Sequence, residues 1–296
     1  MTLFDEEFEE EAITRIRKFA KIAEAMGFEV AVGFSGGKDS QVVYDLCKRS
    51  GIAFKAYFNH AFESCETMNF IREHYHEVIW RRSVKQGFFQ NIVERNNCML
   101  PDVKHSYCCK DYKHNPKQID ACSIIGVRRE ESKARSTRKT FEVKNKTLLK
   151  HNKAVFSEYF TENCTGTGSP SVIQLKPIVD WNEQEVWNYI RKYNLPINPE
   201  YNNKTRVGCI ICPKANLSSN FYSLMQYPKL IDCVIRVMDK RKDNDWIIHS
   251  ENRDFKDDKV LYVCRWLNHS FMPFSKKERK LADLIKQRYN ELKKNN

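Results

Sequence analysis

Three groups of residues in this sequence have types and spacings that can do chemistry. Ser35-Gly36-Gly37-Lys38-Asp39-Ser40 places two glycines, two hydroxyls, a lysine and a carboxylate between the apolar run "VAVGF" and the helically spaced "SQVVYDL". Cys108-Cys109 and Cys209-Ile210-Ile211-Cys212 offer four thiols in two pairs. "IIGVRREESKARS", Ile124–Ser136, sets Arg128, Arg129 and Arg135 behind another apolar run, with Glu130 and Glu131 among them.

Each group implies a different ligand. A strand that hands over to a helix at once aims several backbone N–H groups and the positive helix end at one point. An anion belongs there. Gly36 and Gly37 let the backbone approach a phosphate with no Cβ in the way, Ser35 and Ser40 can donate hydroxyls, and Lys38 adds charge. The pattern is not G-x-x-x-x-G-K-[ST], which excludes the nucleotide loop of that type. The plain alternative is a glycine turn capped by Asp39 or Ser40; the whole hexapeptide in its strand-to-helix setting favours the anion. Arginine pairs with phosphate or sulfate oxygens through a planar fork, and open α/β sheets hold ligands at strand ends, so Arg128, Arg129 and Arg135 are candidates for a second anion contact. Glu130 and Glu131 are placed to orient them, although a solvated, charged helix start would look similar. Four thiolates suit a tetrahedral zinc or an iron–sulfur cluster. Spacing leaves both open, although two adjacent cysteines chelate one small ion awkwardly and can reach two irons of a cube.

The elements that must position these groups alternate. "EEEAITRIRKFAKIAEAM" has helical spacing, "FEVAVGFS" is a short β-branched run, "SQVVYDLCKRS" is helical, "IAFKAYFN" is a strand and "CETMNFIREHY" a helix. Further strands are expected at "EVIWR" and, after a helical "GFFQNIVERNN", at "QIDACSIIGV". Strand, turn, helix, strand is the sequence form of a parallel α/β sheet. Residues 137–171 turn polar and end in "NCTGTGSPS", which reads as an insertion or flap. Trp181 and Trp187 fall on the expected core face of a helix. The basic stretch "SKKERKLADLIKQRYNELKKNN" is an amphipathic helix with Leu281, Leu284, Ile285, Tyr289 and Leu292 on its apolar face.

Composition sets the outer limits. The 296 residues are 41% hydrophobic, enough for one large domain or one with an appendage. No stretch approaches the ~20 apolar residues of a membrane span, and "MTLFDEEFEEEA" lacks the basic region and apolar core of a secretion signal. A cytoplasmic location with no membrane partner is expected. Eleven cysteines in a long chain of this kind point to metal binding or redox chemistry rather than a disulfide scaffold. Cys47, Cys65, Cys98, Cys122, Cys164, Cys233 and Cys264 lie mostly in apolar runs and read as small buried hydrophobes. Fifty Lys and Arg against thirty-eight Asp and Glu, a net charge of +12, favour a polyanionic partner such as nucleic acid or a nucleotide, although a solvated basic surface gives the same balance.

"SGGKDS" resembles the pyrophosphate loop of the PP-loop ATP pyrophosphatases, whose members include sulfonucleotide reductases, tRNA thiolases and DNA phosphorothioation enzymes. "IIGVRREESKARS" is similar to the G-x-R-x-x-E-S-x-x-R segment of the phosphoadenylyl sulfate (PAPS) reductase branch, which there helps bind the nucleotide's phosphate and sulfate groups; its positions here are Gly126, Arg128, Glu131, Ser132 and Arg135. "PIVDWNEQEVWNYIRKYNLPINPEYNNKTRVGCIICP", Pro177–Pro213, is similar to that branch's P-I-x-x-W-x-x-x-D-V-W and Y-x-x-G-x-x-R-x-G-C-x-x-C-P. Three motifs in order make the resemblance specific over roughly residues 28 to 240.

The resemblance implies an adenine nucleotide α-hydrolase-like (HUP, PP-loop) α/β fold: a parallel sheet flanked by helices, with a mainly helical C-terminal region. Residues 1–240 would form the nucleotide-binding domain and 241–296 a helical, basic extension. ATP or PAPS would bind through Ser35, Gly36, Gly37, Lys38, Asp39 and Ser40, with Lys38, Asp39, Arg128 and Arg135 at the reacting groups and Asp39 a candidate holder of Mg²⁺. The CC…CxxC set occurs in iron–sulfur sulfonucleotide reductases of this family, which makes Cys108, Cys109, Cys209 and Cys212 the expected ligands of a [4Fe–4S] cluster. Two departures stand out. Reductases of the family carry a nucleophilic cysteine in an E-C-G-L-H motif that this sequence lacks, and Cys264 in "VLYVCRWLN" has none of that motif's neighbours. Asn59 and His60 stand where the family has an acidic or threonine-bearing strand end. The expected reaction is AMP-forming nucleotide activation serving sulfur transfer, with nucleic acid as acceptor and a cysteine desulfurase or other sulfur donor as partner. The alternatives are sulfonucleotide reduction, by Cys264 or an external thiol, and a nucleotide-sensing or nucleic-acid-binding module without turnover.

Overall fold

The computed structural model describes residues 3–82, 84–113, 122–143, 154, 156, 173–241, 258–269 and 272–295. α1 (Leu3–Ala25) turns Ala12, Ile13, Ile16, Phe19, Ile22 and Ala23 inward at helical spacing; β1 (Val30–Gly33) follows, and α2 (Lys38–Ser50) buries Val42, Val43, Leu46 and Cys47. α2 ends at Gly51, whose φ of 74° is the left-handed conformation that a helix C-terminus favours. β2 (Lys55–Asn59), α3 (Cys65–His74), β3 (Ile79–Arg81), α4 (Phe88–Arg95) and β4 (Cys122–Ile125) continue the alternation where the sequence spacing places it. β5 (Phe141–Val143), β6 (Ile173–Leu175) and α5 (Glu183–Lys192) complete the sheet unit, and α6 (Leu217–Gln226), α7 (Lys229–Asp239), α8 (Lys259–Trp266) and α9 (Lys276–Lys294) follow.

The sheet runs β3-β2-β1-β4-β6-β5, parallel throughout except for β5, which is antiparallel to β6. Its strands read as short apolar runs because helices flank them, and Val30, Val32, Phe58, Ile124 and Leu175 join the buried residues of α1, α2 and α5 in one core. Chain order reverses at β1: β2 and β3 extend one side and β4 lies on the other, with Ala31 opposite Lys55 and Val30 opposite Cys122. An open parallel sheet leaves a crevice at such a reversal, beyond the carboxyl ends of its strands.

The structure adds detail to two sequence expectations and corrects a third. The stretch 137–171, expected as an insertion or flap, contributes β5, with Phe141 fully buried and packed edge-on against Phe19 at 6.1 Å. Most of the remaining stretch, Cys164 included, lies outside the described residues. The apolar packing also divides before residue 240: Ile210, Ile211 and Leu217 already belong with α6–α9 in a second core that includes Leu261, Trp266 and Ile285. On α9, Ala282 and Ile285 are buried and Leu281 and Tyr289 pack beside them, while Leu284 is 47% exposed and off that face.

Phe141→Ala separates strand from flap. Removing a fully buried phenylalanine costs about 3–5 kcal/mol, read from urea denaturation, whereas an exposed flap position would change stability by about 0.5 kcal/mol or less.

Candidate functional site

Ser35–Ser40 joins β1 to α2 at the crevice. Gly36 has φ of 73°, and a Cβ there would also come within 3.2 Å of Ile71 and 3.3 Å of Thr67. The Ser40 hydroxyl is used inside the turn, accepting from Ser35 N at 3.1 Å and donating to Gly37 O at 2.8 Å. Gly37 is the N-cap of α2 and supplies no capping side chain. Among the described residues the N–H groups of Asp39 and Ser40 therefore meet no acceptor, while Lys38 N donates to the Tyr201 hydroxyl at 2.8 Å. Uncapped first-turn amides at the positive end of a helix hold anions. Lys38 Nζ lies beside them, 3.4 Å from Asp39 Oδ2 and 3.4 Å from Glu183 Oε1.

The end of β4 closes on the same turn. A Cβ at Gly126 would fall 2.7 Å from Asp39 O and 3.0 Å from Ser40 N, backbone atoms that no rotamer change can move aside. Arg128 then donates from Nε to Asp39 Oδ1 at 2.5 Å and from Nη1 to Glu130 Oε2 at 2.8 Å. Burial works against the guanidinium's charge, and these carboxylates more than restore it. Arg129 pairs with Asp180, and Arg135 with Glu131, whose other oxygen accepts from Arg128 N at 2.9 Å. The Ser132 carbonyl accepts from Arg135 N at 2.8 Å and so shapes the turn between them. Arg128, Arg129 and Arg135 are each paired with a carboxylate, and the structure brings Arg128 to the loop through Asp39. Asp39, the expected Mg²⁺ candidate, is shared between Arg128 and Lys38.

The two cysteine pairs come from different parts of the fold. Cys108 precedes and Cys109 opens a π-helical turn, Cys109–Lys113, while Cys209 forms an isolated bridge with Glu63, after β2. The Cys108 and Cys109 side chains hydrogen-bond each other, which raises Cys108 and lowers Cys109, and the charges of Cys209 and Cys212 reach Cys108. Burial pushes Cys209 up to about 11. Lys113 Nζ donates to Cys209 and lies 3.4 Å from Glu63. The four thiols thus share one neighbourhood, yet among the described residues no three His, Cys, Asp or Glu side chains converge closely enough to hold a single metal ion. His105 is exposed and turned to Asp102 at 3.0 Å. Of the cysteines read as buried, Cys47, Cys98, Cys122 and Cys264 are so, Cys233 is partly covered and Cys65 is exposed.

Residues 29–215 match the family model described as the phosphoadenosine phosphosulfate reductase domain. The chain belongs to that family. It is 25% identical over 272 residues to an uncharacterized protein of Methanocaldococcus jannaschii, a match covering 88% of this chain and only 57% of that relative's length. It is 22% identical over 193 residues to an adenosine 5′-phosphosulfate reductase of Bacillus cereus, covering 62% of this chain and 73% of the relative. A phosphoadenylyl-sulfate reductase from Candida auris, solved as a phosphate complex, aligns with a TM-score of 0.44 at 13% identity over 64% of this chain and 87% of its own.

In this reductase-domain protein, three residues bear on the site that sequence reading gave no role there, Asn198 and Tyr201 inside the Pro177–Pro213 motif segment and Asn220 beyond it. Asn198, fully buried, donates to Gly36 O at 3.0 Å and to Thr67 Oγ1 at 3.2 Å, fixing the loop from behind. Tyr201 meets Lys38 N as described, and Asn220 grips Cys212 by accepting from its N–H at 2.9 Å and donating to its carbonyl at 3.0 Å. Asn198-Pro199 announces a helical turn, but nothing local announces these long-range contacts.

Gly126→Ala forces a shift of Asp39 O, an overpacking cost of about 1–3 kcal/mol, so ATP affinity in isothermal titration calorimetry is expected to fall about tenfold. Gly87→Ala, where a Cβ meets nothing within 4 Å, is the matched control expected to leave it unchanged.

Proposed function

We propose that this chain binds an adenine nucleotide with its phosphates at Ser35–Ser40 and catalyses AMP-forming activation serving sulfur transfer, with nucleic acid as the acceptor. The observation that carries this reading is the uncapped first turn of α2, with Asp39 N and Ser40 N open at the crevice between β1 and β4. An acceptor oxygen attacks the α-phosphorus, the bond to pyrophosphate breaks, and negative charge moves onto the leaving group. Backbone donors already held in place stabilise that charge without reorganising. Gly126 permits the close approach of β4 to this turn, Arg128 braces Asp39, and Lys38 adds positive charge. The terminal sulfur of a donor persulfide, such as that of a cysteine desulfurase, then bonds to the activated atom as the adenylate leaves, and a second thiol breaks the donor's S–S bond, forming a disulfide and releasing the thiolated acceptor. The net charge of +12 suits a polyanionic acceptor.

Cys108, Cys109, Cys209 and Cys212 would hold the [4Fe–4S] cluster. A tetrahedral zinc needs its donors around one point, which these thiols do not reach, whereas a cube takes its thiolates on separate irons. The segment carrying Cys209 runs past the phosphate loop, since Val207 Cβ lies 3.7 Å from where a Gly37 Cβ would stand. Bound there, a cluster would supply electron or sulfur relay beside the nucleotide.

The match to an adenosine 5′-phosphosulfate reductase favours a second reading, reduction of a sulfonucleotide. That reaction needs an accessible thiolate to take the sulfur. Cys264 is 0% exposed inside α8 and burial pushes its thiol up, which weighs against it.

Cys264→Ser is therefore expected to keep pyrophosphate release from ATP within about twofold of wild type, a small effect beside the ~100-fold loss typical when a covalent nucleophile is removed. Little sulfite should form from PAPS with thioredoxin; sulfite formation that disappears in Cys264→Ser would install the reductase instead. Protein purified without oxygen is expected to be brown, with broad visible absorption that is lost in Cys109→Ser and in Cys212→Ser. A colourless preparation with one zinc per chain would replace the cluster by a structural site.

A further inference from the structure

Tyr201 lies in the Pro177–Pro213 motif segment and stands against the phosphate loop, and none of the site roles above is assigned to it. It sits on the short 3₁₀ turn Pro199–Asn202, where its own N–H donates to Asn198 O at 3.0 Å. Its hydroxyl oxygen accepts from Lys38 N at 2.8 Å, and a Cβ on Gly37 would approach that oxygen to 3.3 Å. The ring packs edge-on against Trp187 at 5.2 Å, with Lys38 Nζ 5.8 Å from its centroid. The backbone beneath it is tied to the loop, because Asn198 donates to Gly36 O and to Thr67 Oγ1. Ring and backbone are therefore fixed to the same loop that would hold the phosphates.

The chemistry of that hydroxyl is half used. Its oxygen takes the Lys38 amide, while its O–H proton meets no acceptor among the described residues. An O–H whose oxygen already accepts a hydrogen bond is polarised into a better donor. Burial, together with the nearby Asp39 and Glu183 charges, outweighs Arg206 and keeps the phenol protonated at neutral pH. Adjacent amides of a helix's first turn point the same way, so an oxygen resting on Asp39 N lies beside the oxygen that rests on Lys38 N.

We propose that Tyr201 is a phosphate-binding residue of this loop, its hydroxyl passing the Lys38 N–H on to a phosphate oxygen by donating its own O–H. The assignment rests on the nucleotide reading above and adds a donor to it. It also gives the first turn of α2 three donors for an anion: Asp39 N, Ser40 N and the Tyr201 hydroxyl.

Isothermal titration of wild type and Tyr201→Phe with inorganic pyrophosphate, and separately with adenosine, tests it. The substitution keeps the ring against Trp187 and removes only the oxygen. A hydrogen bond to a charged group sets the expected loss of pyrophosphate affinity at about tenfold or more, with adenosine affinity unchanged. Unchanged pyrophosphate affinity overturns the assignment, and tighter binding overturns it by marking Tyr201 as a plug that the anion must displace. An equal loss for adenosine also overturns it, since a structural defect would weaken both ligands. Wild-type protein that binds neither pyrophosphate nor ATP overturns the nucleotide reading itself, and this assignment with it.

Discussion

The Arg128–Asp39 ion pair joins residues 89 positions apart and holds the two halves of the crevice together. β4 reaches β1 by parallel pairing, Gly126 lets its end close on the first turn of α2, and Arg128 locks that contact with a side chain only 4% exposed. A guanidinium so buried is costly without its carboxylate; removing one member of a buried pair typically costs about 3–5 kcal/mol. Asp39 thus holds the fold together at the crevice. On the proposed reading, an anion rests on the neighbouring backbone amides, which the same contact holds in place.

A second constraint ties the thiols to both cores. Ile210 N donates to Phe62 O at 2.7 Å, and Glu63 bridges Cys209, so one end of the C-x-x-C segment is fixed to the loop after β2. Its other end is fixed by Asn220, which holds Cys212 and also donates to Leu267 O at 2.9 Å, after α8. Trp266 Nε1 donates to Pro101 O at 2.8 Å, linking α8 to the chain that leads to Cys108. The thiol neighbourhood thus lies where the sheet unit and the C-terminal helices meet. Anything bound to all four thiols would stabilise that junction as well as itself, because its ligands come from segments that separate on unfolding.

What could be read from the sequence was what depends on near neighbours. Ser35–Ser40 declares its turn through the glycines and the apolar run before them, and β1, β2, β3 and β4 declare themselves through alternation with helices. β5 did not, because Glu142 and Lys176 pair at 3.0 Å in the interior and give a buried strand the charges of a surface loop. The ion pairs of the arginine segment were hidden from the sequence for a related reason. Arg128, Arg129 and Arg135 look like free cations until folding brings Asp39 and Asp180 to the first two and a turn brings Glu131 to the third. Leu284 follows the helical pattern of its neighbours, yet the second core covers only the face carrying Ala282 and Ile285. In each case the deciding partner is remote in sequence, and residue type alone does not carry it.

The same pairing changes how recognition is divided. With Arg128, Arg129 and Arg135 matched to carboxylates, the first turn of α2 offers an anion neutral donors, backbone N–H groups and a hydroxyl, with Lys38 itself set between Asp39 and Glu183. Such donors act at short range, are fixed before the ligand arrives and favour charge where it develops. The excess of basic residues that gives +12 acts differently: exposed charge attracts a polyanion over a Debye length of about 8 Å and weakens as salt rises. On the proposed reading, phosphate discrimination and capture of a nucleic acid would rest on separate physics in one chain. The first would depend on close packing around Gly126, the second on surface charge that tolerates rearrangement.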